Sequence, residues 1–185
     1  MKGKSILIVV GIIVVIGIFF GSTYNSLATL DESVDGAWAQ VENQLQRRAD
    51  LIPNLVNTVQ GYASHEQELL TDITNARAGI ENATTPEEYA EANQEMDRVL
   101  GNLNVVVENY PNLKANENFL ELQVQLEGTE NRIAVERKRF NDAVQSYNSF
   151  IRKFPANIVA NMNGFEKKSY FTAEAGANQA PKVEF

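Results

Sequence analysis

Arg47, Arg48, Asp50 and Pro53 stand within two turns of one another in the stretch RRADLIPNLV, residues 47–56. Two arginines and a carboxylate could hold an anion and do chemistry on it. Alternatively, they could satisfy a backbone that a proline has loosened. Pro53 has no N–H and pushes away the carbonyl of Ala49, which costs about 3 kcal/mol in a regular helix. The structural reading therefore expects a bent helix, with Arg47, Arg48 or Asp50 paired to acids or amides on a neighbouring helix and Glu130 as the favoured partner. Nothing else in the chain supplies the rest of a catalytic apparatus. His65 is the one histidine, and HEQEL lacks the second histidine that a zinc site on a helix requires. The glycines are scattered rather than gathered into a phosphate loop. No serine or threonine has a histidine base beyond Ser64, which is merely adjacent in sequence. No carboxylate sits alone in an apolar surround. These absences lead us to expect no catalytic residue, no cofactor and no metal, and hence a protein that is not an enzyme.

The elements that position these residues begin with a membrane segment. Ile6 to Phe20, ILIVVGIIVVIGIFF, has no polar side chain, and extension to Tyr24 gives 19 residues. That is about 28 Å of helix against a bilayer core of about 30 Å. Lys2 and Lys4 precede it, and four acids follow before the next cation at Arg47. The positive-inside rule then keeps the amino terminus in the cytoplasm and puts the remainder outside the cytoplasmic membrane. A cleaved signal peptide is the competing reading, with SLA at 26–28 as its cleavage site; the spanning length favours a retained anchor. Without cysteine the chain has no disulfide, thiolate site or cysteine lipidation. Setting aside Lys2 and Lys4, 14 cations face 24 acids, a net charge of −10, which argues against nucleic acid as a partner.

Beyond the anchor everything reads as helix. Leu27, Leu30, Val34, Trp38, Val41, Leu45, Ile52, Leu55, Val59, Tyr62, Leu69, Ile73 and Ile80 recur at three and four spacing, with Arg48 and Glu66 taking two turns of the seam. Gly61 can end one helix and Ser64 can cap another; because the stripe keeps its phase through Tyr62 and Leu69, a near-continuous rod of about 80 Å is favoured. Thr85, Pro86 and Glu88 form a capping box for a second helix with a stripe at Tyr89, Met96, Leu100, Leu103 and Val107. A third helix from about Asn116 carries heptads at Phe119, Leu122, Leu126, Ile133, Phe140, Val144, Tyr147, Ile151 and Phe154. Short connections imply antiparallel neighbours. The expected fold is all-α: an N-terminal transmembrane helix (1–25), an up-and-down bundle of about four helices (26–165) and an extended tail (166–185).

The segments YNSL, WAQVENQLQRRADLIPNLV, GYASHE, YPNLKANENFLELQVQLEGTENRIAVERKRFNDAVQSYNSFIRKFP and YFTAEAGANQAPKVEF together resemble the LemA family of bacterial proteins, over nearly the whole chain. The resemblance implies one membrane helix, an antiparallel bundle of about four helices and no established molecular activity, with one relative associated with magnetosome membranes. It also implies, in some members, an amino terminus outside the cell; Lys2 and Lys4 argue for the reverse here. Read physically, the motifs ANENF and TENRIA put Asn116, Glu117, Asn118, Glu130, Asn131 and Arg132 on or beside the seam of the third helix, where polar groups set register, while ordinary capping would equally account for Asn112 and Asn116.

Two functional classes follow. One is a membrane-anchored scaffold of the cell envelope that works as a homo-oligomer and organises envelope proteins. The other is an adaptor whose groove captures an extended peptide or a helix. Apolar residues beyond one seam, at Val105 to Val107 and along Phe140, Tyr147 and Phe154, supply the second face that either would use.

Overall fold

The computed structural model describes residues 2–172, with side chains from residue 7 onward. The side chains of Lys2 and Lys4 and the tail from residue 173 lie outside the described residues. Among the described residues six helices follow one another: α1 (Lys2–Gln60), α2 (Gln67–Asn82), α3 (Pro86–Val107), α4 (Pro111–Lys114), α5 (Glu117–Phe150) and α6 (Ala156–Asn163). No strand occurs among the described residues. α1 is 59 residues long, about 88 Å at the usual rise. Its amino-terminal part is long and apolar enough to cross a membrane and has none of its most apolar window buried inside the molecule. Leu7 through Phe19 accordingly expose their large side chains.

The same helix then enters the core without a break. Between the apolar run and the bundle, Thr23, Ser26 and Thr29 each return the hydroxyl to the carbonyl four residues back, at 2.9, 3.0 and 2.9 Å, so these polar groups are satisfied by their own helix. From Leu27 onward the stripe is buried at Val34, Val41, Leu45, Ile52, Leu55 and Val59. α1 also runs through Pro53, whose missing donor is absorbed without ending the helix.

The favoured rod past Gly61 is overturned. Tyr62 N and Ala63 N both donate to the Val59 carbonyl, at 3.0 and 2.8 Å, Ala63 is buried, and α2 folds back along α1. A coaxial continuation would leave the stripe of Leu70, Ile73 and Ile80 in water, whereas folding back buries it. The expected cap at Ser64 is also displaced: the N-cap residue is Glu66, which makes no side-chain cap bond. Its carboxylate instead accepts from the Tyr110 hydroxyl at 2.7 Å, tying the distal ends of the bundle together.

α3 starts as the sequence implies, with the full capping box between Thr85 and Glu88. It returns parallel to α1, as Tyr89 stacks edge-on against Trp38 with centroids 5.4 Å apart. α5 descends, with Asn116 as its N-cap accepting from Phe119 N at 3.0 Å. Helix packing thus runs α5–α1–α2–α3, and the fourth side, between α3 and α5, is open.

Below Trp38 the α2–α3 hairpin ends and a different element takes its place. Residues 165–172 form no helix and run upward against α1 and α5, so part of the tail belongs to the bundle. Asn148 Nδ2 donates to the Lys168 carbonyl and Lys168 N donates to Asn148 Oδ1, both at 2.9 Å. Asn141 makes the same pair with Phe171. Two helical turns span about 10.5 Å, and three extended residues about 10 Å, so asparagines seven apart match residues three apart. Phe171 is buried against Trp38, with Arg137 over its ring, and Lys168 pairs with Asp31 at 2.9 Å.

The surplus apolar face is accordingly smaller than the heptads suggest. Phe140 and Tyr147 are core residues, and Val107 is buried; Val105 and Phe154 remain exposed. Replacing Phe171 by Ala should cost about 3 kcal/mol in chemical denaturation of the full-length chain, whereas Phe154→Ala should change stability by less than about 0.5 kcal/mol.

Candidate functional site

Arg48 is 3 % exposed, because its position in the α1 stripe, between Leu45 and Ile52, points it into the bundle. A guanidinium there must find acceptors. It finds three, on two helices. Nη1 donates to Asn93 Oδ1 at 2.7 Å and to Glu130 Oε2, and Nη2 donates to Asp97 Oδ1. Asn93 Nδ2 in turn donates to Asp97 Oδ2 at 3.3 Å. The side chain spans the centre of the bundle and joins α3 to α5 across the open side, where their backbones stand apart.

That open side is a cavity of about 450 Å³. Arg48 and Leu55 line its floor, Leu100 and Asp97 one wall, Leu126 and Glu130 the other. Gln123 Nε2 donates to Asn104 Oδ1 at 3.0 Å across it. Val105, one turn beyond the lining Gly101, and Val124, one turn before the lining Glu127, are 71 % and 68 % exposed. Leucines thus alternate with charged and amide side chains around the groove, and the two exposed valines flank it.

Burial pushes the Glu130 carboxyl above the ordinary carboxylate range, Arg48 opposes this, and the Asp97 carboxylate adds to it. An acid whose folded pKa is raised holds its proton longer in the folded state, so its contribution to stability is complete at low pH and is lost as pH rises through the folded pKa. Arg48 has two carboxylates already, leaving it poorly placed to take a further anion. Among the described residues no group of three or more metal-ligating side chains stands together. His65 is exposed in the turn after α1. What the groove offers is leucine side chains interleaved with hydrogen-bonding and charged groups.

The sequence-derived candidates separate. Arg48 and Glu130 meet. Arg47 and Asp50 do not join them: both are exposed, and Asp50 accepts from Gln46 on its own helix at 2.9 Å. Pro53 lies half-buried one turn beyond. Asn116 is a cap, its amide also reaching the Tyr62 hydroxyl at 3.0 Å. Glu117, Asn118, Asn131 and Arg132 are exposed, so of the two placements, on or beside the seam, they take the second, with Asn131 at the groove. Asn118 and Arg132 stand one residue, and Glu117 and Asn131 two residues, before the buried Phe119 and Ile133, and each residue turns a side chain by about 100°.

Sequence reasoning missed Asn93 and Asp97, and the clamp of Asn141 and Asn148. Asn93 had a readable signal. It occupies the vacant turn of the α3 stripe between Tyr89 and Met96, as Arg48 does in α1.

A model described as the LemA family matches residues 37–185. Among curated relatives, magnetosome protein MamQ 2 of Paramagnetospirillum magneticum is 26 % identical over 186 residues, covering 86 % of this chain and 68 % of the relative. Protein LemA of Metamycoplasma hominis is 28 % identical over 155 residues, covering 80 % and 69 % respectively.

Removal of the guanidinium leaves two carboxylates facing each other, each a little over two-fifths exposed, so Arg48→Ala should cost about 2–3 kcal/mol, discounted from the fully buried case. Arg47→Ala should cost less than about 0.5 kcal/mol in the same denaturation. Glu130→Gln keeps an acceptor for Arg48 and removes the titration. Its melting temperature should therefore lack the share of the decline that the parent chain shows as pH rises above the ordinary carboxylate range.

Proposed function

The chain belongs to the LemA family, and from that premise we propose that it is a membrane-anchored, non-enzymatic helical scaffold of the bacterial cell envelope that self-associates and organises envelope partners. One observation carries this reading: α1 holds both the membrane-crossing segment and the central stripe of the bundle in a single uninterrupted helix. Bundle and span cannot swivel independently without breaking main-chain hydrogen bonds of that helix. Every copy in one membrane therefore presents its open α3/α5 side at the same height. Two-dimensional confinement raises the effective concentration of such aligned copies, so weak lateral contacts suffice. Val105, Leu120 and Val124 are the exposed apolar residues along that side.

In this reading the span sits in the cytoplasmic membrane with the bundle outside the cytoplasm, by the charge asymmetry around it. The charged groups at the centre of the groove are engaged in holding α1, α3 and α5 together, Arg48 with Asp97 and Glu130, which supports a structural role. Relatives named for the magnetosome bear the name of a structure rather than of a reaction, which supports the same role.

The clamp on residues 165–172 favours a second reading, an adaptor for extended peptides. Asn141 and Asn148 read main-chain groups, as peptide receptors do when main-chain bonds give affinity and side-chain pockets give specificity.

Native mass measurement of the full-length chain in detergent decides between them. The scaffold reading expects oligomers whose share grows with protein concentration and falls when Val105 and Val124 are replaced by Lys, with no loss of melting temperature. A monomer at every concentration overturns it. A monomeric chain whose Phe171→Ala form captures a synthetic peptide of residues 165–172 would establish the adaptor.

A further inference from the structure

α6 packs on α1 at a particular height. Val159 and Ala160 are buried against Leu27, with Phe20, Phe150, Ile151 and Phe165 around them. Phe20 is also the last residue of the uninterrupted apolar run, and Tyr24, one turn on, meets the Phe165 ring edge-on with centroids 5.8 Å apart. From Phe20 to Leu27 the helix rises about 10.5 Å. The headgroup layer beyond the hydrocarbon core is about 5–8 Å thick on each side. If Ile6–Tyr24 fills the core, as its length of about 28 Å allows, the core ends near Tyr24, and α6, packed along Phe20 to Leu27, straddles the boundary between acyl chains and headgroups.

Its outward side fits such a place. Ile158 and Met162, one turn apart, are 43 % and 71 % exposed, and Phe154, just before the helix, is 81 % exposed. Among the described residues nothing covers them, although Ala156, Val159 and Ala160 on the same short helix are buried. Arg152 and Lys153 before α6 and Lys167 after it are exposed, where lipid phosphates would meet them. The rim valines of the α3/α5 groove differ. They lie near the level of Leu55, about 52 Å above Phe20 along α1, and cannot touch the same bilayer.

We propose that α6 and the turn before it form a second membrane contact: an interfacial foot that seats Phe154, Ile158 and Met162 at the boundary between headgroups and acyl chains of the bilayer that α1 crosses. With the span it gives the bundle two points of attachment, which fix the direction in which the open side faces as well as its height. Ile158 and Met162 then serve lipid rather than a protein partner. The inference rests on α1 crossing the bilayer, and its test reports on the two separately.

The chain has no cysteine, so single labels are clean. Val14→Cys, Met162→Cys and Val105→Cys in the full-length chain, each carrying an environment-sensitive fluorophore, are reconstituted into phosphatidylcholine vesicles containing nitroxide-labelled lipid. Labels at 14 and 162 should lose about half or more of their emission and the label at 105 less than about a tenth, interfacial helices being buried roughly 5–10 Å. Phe154→Cys provides a second foot position with the same expectation. Quenching at 14 with positions 154 and 162 as bright as 105 overturns the foot and leaves the span standing. A bright label at 14 overturns both.

Discussion

A helix that starts in sequence suited to lipid and ends as the central stripe of a bundle has to satisfy two surroundings along one axis. α1 does so by changing its pattern, not its geometry. Up to Phe20 it is apolar on every side, as a span must be. From Leu27 it is apolar on one stripe. The few turns between are filled with Ser and Thr, whose hydroxyls bond back to the helix's own carbonyls. The remaining elements are arranged around this rod. α5 lies along it for most of its bundle length, α2 folds back on it, and α6 closes over the stretch from Phe20 to Leu27.

Polar groups placed in apolar seams then decide how the helices align. Arg48 has acceptors on α3 and α5 at one level, so sliding either helix by one turn, about 5.4 Å, would strand a buried charge. Asn141 and Asn148 do the same for the segment that follows α6, which has no helical hydrogen bonds of its own and must find its main-chain partners elsewhere. Trp38 marks the level where one arrangement gives way to the other. It meets Tyr89 of α3, Phe140 of α5 and Phe171 of the extended segment, so the core is continuous although the element covering it changes.

The open side between α3 and α5 follows from the same packing. α3 reaches α1 through long side chains and packs its own apolar stripe chiefly on α2. This leaves Leu100, Leu103 and Leu126 around a groove rather than pressed together. A closed four-helix ring would have buried that surface; here it is left facing outward at a fixed distance from the apolar end of α1. The groove and the exposed apolar side of α6 therefore sit at opposite ends of the bundle.

Much of this was legible in the sequence, because helical periodicity, caps and span length are local properties. The stripes of α1, α3 and α5, the capping box at Thr85, the apolar run from Ile6 and the anomaly of a charged residue at Arg48 all follow from spacing and residue type. Periodicity states which face is buried, but it is silent about what buries it. The phase of the stripe survives the turn at Gly61–Glu66, so the reversal of α2 could not be read from it; only the need to bury Leu70, Ile73 and Ile80 against α1 decides the direction. The same limit hid Asn93 and Asp97 as partners of Arg48. It also made Phe140 and Tyr147 look surplus, and it concealed that the irregular segment at 165–172, which has no period to detect, is held by two asparagines on a helix far from it in sequence. What the sequence determined was each element and its apolar face. The order of the ring, the open side and the packing of the final segment were decided by tertiary structure, since each depends on contacts between residues that no local pattern relates.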